Sequence, residues 1–91
     1  MGRLNGKVAL VIGATSGIGK ATAALFAKEG AKVIFTGRRE EAGKKVEEEL
    51  AAQGGQVEFF RCDATVENEC KALVDHVVEK YGRIDILHNN A

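Results

Sequence analysis

The chain has 91 residues, of which 45% are hydrophobic, and its thirteen basic and thirteen acidic side chains cancel. That balance describes a globular chain and excludes a disordered or collagen-like one. It also gives no electrostatic reason for a nucleic acid as partner, which would need a strongly basic face. Two cysteines and no proline exclude a disulfide framework and a zinc knuckle, and leave the connections to turn on Gly, Asn or Asp.

Val8-Ala9-Leu10-Val11-Ile12 is a continuous apolar run with β-branched residues, the pattern of a strand covered on both faces of a parallel sheet. The glycine-rich stretch Gly13 to Gly19 follows at once. Ile18, Ala21, Thr22, Leu25 and Phe26 then recur at helical spacing and predict an apolar stripe, with Lys20, Lys28 and Glu29 toward water. Gly30 takes the left-handed position after the last turn. Val33-Ile34-Phe35 is the second strand. The next helix opens near Arg39-Glu40-Glu41, sets Ala42, Val46 and Leu50 on one stripe, and ends at Gly54-Gly55. Glu40 with Lys44, and Glu41 with Lys45, stand four apart in the favourable order for ion pairing.

Val57-Glu58-Phe59-Phe60 is the third strand, and its single Glu suggests a position near the sheet edge. Val66, Cys70, Leu73, Val74, Val77, Val78 and Tyr81 carry the strongest periodic signal, a third amphipathic helix closed by Gly82. Ile84-Asp85-Ile86-Leu87-His88 is the fourth strand, running into Asn89-Asn90-Ala91. Cys62 at a strand end and Cys70 on a helix face read as small buried hydrophobes. No apolar run approaches the roughly 20 residues needed to cross a bilayer, so no membrane partner and a cytoplasmic location are expected. Strands and helices alternate with connections short enough to force right-handed crossovers, which predicts an α/β fold with a parallel sheet. With no repeat, linker or low-complexity segment, residues 1–91 read as one domain.

A strand, a glycine-rich turn and a helix together aim backbone N–H groups and a helix N-terminus at a phosphate. The spacing is Gly13-x-x-x-Gly17-x-Gly19. Gly13 lets the chain turn out of the first strand, Gly17 lets the backbone approach a pyrophosphate, and Gly19 lets the helix lie close to the strands. Thr15 and Ser16 offer hydroxyls to phosphate or ribose, and Ser16 also stands where it can cap the helix. A tight turn with close packing is the plain alternative for three glycines. A magnesium-dependent P-loop is excluded by the spacing: five residues separate Gly13 from Gly19, and Ala21 stands where the metal-binding hydroxyl belongs.

After the second strand, a protein that prefers NAD usually has an acid for the ribose 2′-hydroxyl. Here the chain reads Gly37-Arg38-Arg39. No carboxylate repels a 2′-phosphate, and Arg38 can meet one with a planar, bidentate donor set. The chemistry favours NADP(H) over NAD(H). The plain alternative is that both arginines are solvated first-turn charges, although cations at a helix start oppose its dipole.

Gly13-Ala14-Thr15-Ser16-Gly17-Ile18-Gly19, Cys62-Asp63-Ala64-Thr65 and Asp85-Ile86-Leu87-His88-Asn89-Asn90-Ala91 resemble the short-chain dehydrogenase/reductases, in that family's order and spacing. The resemblance implies cofactor contacts along Gly13, Thr15, Ser16, Gly17, Ile18 and Gly19. It implies an adenine contact from Asp63 with the Ala64 backbone beside it, and a ribose and sheet-bracing role for Asn90. Asp63 can also cap the helix that starts near Val66. The chain departs from the pattern at Ile12, where Thr is common, and at Ser16, where many NADPH users carry a basic residue. At His88, where an apolar residue is common, a packed side chain is expected. The family's catalytic Ser and Tyr-x-x-x-Lys pair are not in this sequence: its one tyrosine, Tyr81, has no Lys four residues on.

The expected architecture is a half-Rossmann unit, a four-stranded parallel sheet in the order 3-2-1-4 with helices on both faces. The expected function is the nucleotide-binding N-terminal half of an NAD(P)-dependent oxidoreductase, not able to catalyse alone. The alternative is a truncated or engineered half-fold with no useful ligand affinity. A fourth strand that is apolar on both faces and stands at an open edge predicts self-association through that edge.

Overall fold

Every other residue of a strand points to the same face, so a run such as Val8 to Ile12 buries itself only where both faces are covered. In the computed structural model, which describes residues 2–13 and 17–89, this is what happens. The elements are β1 (Val8–Ile12), α1 (Gly17–Lys28), β2 (Lys32–Gly37), α2 (Glu40–Ala52), β3 (Gln56–Arg61), α3 (Glu67–Tyr81) and β4 (Ile86–Asn89). The four strands are parallel in the order β3-β2-β1-β4, as the sequence predicts. Ala9 pairs with Val33 on one side and Ile86 on the other.

Ala9, Val11, Val33, Phe35 and Phe59 point to one face, where Ala23 of α1 and Val46 and Leu50 of α2 cover them. Val8, Leu10 and Ile34 point to the other, under Leu73 and Val77 of α3. The Phe35 and Phe59 rings meet at 5.5 Å, tilted by 48°, a geometry worth about 0.5–1.5 kcal/mol beyond the area buried. Gly43 of α2 lies against the Phe59 ring, so close that a Cβ there would run into it.

The sequence misplaces part of the helix surfaces. On α1 the buried positions are Gly19 and Ala23, with Phe26 and Ala27 packed beside them. Ile18 and Leu25, predicted for the stripe, are 72% and 56% exposed, and Ala21 is exposed. Small residues let this helix sit close to the sheet, and the larger apolar ones fall off its inner face. On α3, Leu73 and Val77 are buried, but Val74 and Val78 are about half exposed. Lys44 reaches Glu47 at 3.8 Å instead of pairing with Glu40, and Lys20 of α1 bridges to Glu49 of α2 at 2.9 Å.

Glu58 explains itself. It belongs to an edge strand, and α3 satisfies it: Tyr81 donates its hydroxyl to Oε1 at 2.7 Å, Lys80 donates to the same oxygen at 3.1 Å, and His76 Nε2 pairs with Oε2 at 2.9 Å. Burial pushes this carboxyl up, yet the three donors outweigh burial and hold it below the usual carboxylate range. The left-handed Gly82 ends α3 at φ 82°, as predicted.

The last strand starts later than the sequence suggests, at Ile86 rather than Ile84. Ile84 packs under α3, and Asp85 joins β1 by its side chain: Val8 N–H donates to Asp85 Oδ2 at 2.8 Å, while Asp85 N–H donates to the Val8 carbonyl at 2.9 Å. Arg83 completes the corner, donating to Asp85 Oδ2 at 2.8 Å and to the Gly6 carbonyl at 3.0 Å. β4 pairs with β1 alone among the described residues, and Leu87 is 62% exposed.

Candidate dinucleotide-binding site

The order of the strands reverses at β1, which puts the loops after β1, β2 and β3 at one end of the sheet, where ligands bind in open α/β folds. Gly13 leaves β1 at φ 82°, a left-handed conformation that side chains rarely adopt. Its N–H is shared between the Thr36 carbonyl at 3.1 Å and Thr36 Oγ1 at 3.3 Å. Gly17 opens α1 at φ 61°, and no described atom lies within 4 Å of where its Cβ would stand. Gly19, in the first turns of α1, is buried.

Beside this turn lies a cleft of ≈ 380 Å³ lined by Gly13, Thr36, Gly37, Arg38, Cys62, Asp63, Ala64 and Thr65. The structure thus brings Gly13, Arg38, Asp63 and Ala64 together, although the first and third are 50 positions apart in the chain. Gly17, Gly19 and Ile18 are not in its lining. Thr15, Ser16 and Asn90 lie outside the described residues. Asn89 ends β4 opposite Ile12. His88 is half-buried in β4.

Asp63 does not cap α3. Its Oδ1 accepts the Thr65 N–H at 2.9 Å and the Thr65 hydroxyl at 2.7 Å, closing a turn ahead of the helix, whose N-cap position is Val66 with no side-chain cap. These two bonds hold the carboxyl below its usual range, with Arg38 and Arg61 adding to the effect. Asp63 is accordingly ionised at neutral pH, and Oδ2 makes no hydrogen bond among the described residues. An acceptor of this kind suits an exocyclic amino group. Arg38 is exposed at the rim, and no acid stands at Gly37. Cys62 is buried, which pushes its thiol up to about 11, so at neutral pH it is a packed hydrophobe and not a nucleophile.

Two features of the site escaped the sequence. Thr36 is a buried polar side chain in an apolar strand, and a Thr followed by Gly at a strand end was the only signal for it. The second is the contact of Arg61 with Glu69 at 2.8 Å, for which a spacing of eight residues across a loop gives no periodic cue. Among the described residues no group of His, Cys, Asp and Glu could hold a metal ion, and no helix is long and apolar enough to cross a membrane.

The family model for short chain dehydrogenases matches residues 7–91. The chain belongs to this family. Among curated relatives, a 3beta-hydroxysteroid dehydrogenase of Mediterraneibacter gnavus is 48% identical over 91 residues, 100% of this chain and 33% of the relative. Among solved structures, a hydroxysteroid dehydrogenase from Escherichia coli superposes with a TM-score of 0.94 at 45% identity, covering 98% of this chain and 37% of that one. An actinorhodin polyketide ketoreductase solved with NADPH gives 0.92 at 43% identity, covering 100% and 35%. The chain spans about a third of the length of the curated relatives it matches.

Proposed function

We propose that this chain is the dinucleotide-binding part of a short-chain dehydrogenase, and that it prefers NADP(H) to NAD(H). The observation that carries the reading is the cleft, where the exposed guanidinium of Arg38 stands across from the ionised Asp63 with no acid at Gly37. In this reading Asp63 and the Ala64 backbone hold the adenine, and Arg38 takes the 2′-phosphate. The turn from Gly13 through Thr15, Ser16, Gly17 and Ile18 to Gly19 takes the pyrophosphate at the N-terminus of α1. Asn90 serves the ribose. The NADPH-bound ketoreductase supports the choice of ligand class. When bound, the nicotinamide supplies hydride transfer. No residue of this chain is assigned to proton transfer: Tyr81 spends its hydroxyl on Glu58, away from the cleft.

The test is thermal unfolding of the chain alone and with NADPH or NADH. A ligand at about 100 times its dissociation constant stabilises the folded state by about 2.7 kcal/mol. NADPH should raise the midpoint more than NADH, and Arg38→Ala should bring the two together. Equal shifts in the unsubstituted chain would refute the 2′-phosphate assignment.

A second reading has its own observation. Leu87 stands 62% exposed on β4, which pairs with β1 alone among the described residues, and Val74 and Val78 of α3 are also half exposed. Strand edges beside apolar surface pair with copies of themselves, and in this reading the 91-residue chain associates through β4. Sedimentation that stays monomeric at high concentration would remove it.

A further inference from the structure

Arg61 closes β3 and does not line the cleft, yet it joins both walls of it. Its Nε donates to the carbonyl of Arg38 at 3.3 Å and its Nη1 donates to Glu69 Oε1 at 2.8 Å. The same Glu69 oxygen accepts the Asp63 N–H at 2.9 Å. The backbone ladder between β2 and β3 stops with Gly37 opposite Arg61 and a last bond from Cys62 N–H to the Gly37 carbonyl at 3.0 Å. Beyond that point the chains diverge into the loops that carry Arg38 and Asp63. Among the described residues, the Arg61 side chain is what continues the connection.

We propose that Arg61, acting through Glu69, is a positioning residue that fixes Arg38 and Asp63 across the cleft and so sharpens recognition of a 2′-phosphorylated adenosine. The proposal rests on the dinucleotide reading above. A guanidinium suits the task because its donors lie in one rigid plane and reach two acceptors at once, whereas an ammonium is a point charge on a flexible stem. The Arg61 and Glu69 side chains are 50% and 34% exposed, so the pair adds little to global stability. Its effect is confined to where the two loops stand. Arg61 also lies close enough to contribute to the lowered carboxyl of Asp63.

The experiment compares the chain with Arg61→Gln and Arg61→Lys. It reads binding of 2′,5′-ADP and 5′-AMP, the thermal midpoint, and exchange of the Asp63 amide without ligand. Arg61→Gln should weaken 2′,5′-ADP by about fivefold, weaken 5′-AMP less, speed Asp63 exchange, and leave the midpoint nearly unchanged. Arg61→Lys should share these losses. Full rescue by lysine would overturn the proposal in favour of charge alone. A lower midpoint with both probes weakened equally would overturn it in favour of a structural role, and unchanged Asp63 exchange would show that no tie exists. If the unsubstituted chain binds neither probe, the dinucleotide reading falls and takes the proposal with it. Asp63 exchange, which needs no ligand, tells that failure apart from failure of the tie.

Discussion

Tyr81→Phe removes one hydroxyl and little else, which makes it a clean perturbation of the contact between α3 and the β3 edge. The hydroxyl donates to Glu58 Oε1 at 2.7 Å, and a bond to a charged acceptor is worth about 1.5–3 kcal/mol. Glu58 keeps Lys80 and His76, and its side chain is 23% exposed, so water and the remaining donors recover part of the loss. The expected destabilisation is about 1 kcal/mol, equivalent to a drop of about 4–8 °C in midpoint for a chain of this size. The effect depends on pH in a defined way. The Glu58 carboxyl is held below its ordinary value of 4.5, so its contribution is present above that value and is lost as pH falls through the lower, folded one. The Tyr81 hydroxyl, pushed above 10.0 by burial and then by Glu58, keeps its contribution below 10.0 and loses it as pH rises through the raised value. Melting curves of both chains from acid to alkaline pH should therefore differ on a plateau between these limits and converge at the ends. A shift below about 1 °C at neutral pH, or a difference that persists in strong acid, would refute the assignment of this bond.

Gly43→Ala tests the close approach of α2 to Phe59. Alanine favours the helix by up to about 1 kcal/mol, but the new methyl meets the ring, and overpacking costs about 1–3 kcal/mol; a lower midpoint is expected, and a higher one would mean the ring moves aside freely. At pH 8 a disulfide reagent should modify Cys70 in the folded chain and reach Cys62, 2% exposed with its thiol near 11, only at the rate of global unfolding. Rapid labelling of both thiols would contradict the packed position of Cys62.

Much of this protein is local. The run Val8 to Ile12, the glycines that follow it and the periodic helices determine an α/β alternation, and short crossovers of fixed hand leave few sheet orders open. The glycine turn was legible as a turn for the same reason: a strand, three glycines and a helix start are contiguous in the chain. Periodicity marks which residues are apolar, but the angle at which a helix meets the sheet decides which of them are buried. That is why Ile18, Leu25, Val74 and Val78 face outward while Ala23 lies against the strands and Gly19 is buried.

The partners of charged side chains were hidden for a different reason. Glu58 with Tyr81, Asp85 with Val8, and Arg61 with Arg38 and Glu69 join residues 23, 77, 23 and 8 apart, and no repeat of 2 or 3.6 residues connects such positions. The sequence by itself determined the elements and their order. Only the tertiary structure decided what meets across the loops, because the sheet register sets opposite one another residues that the chain keeps far apart.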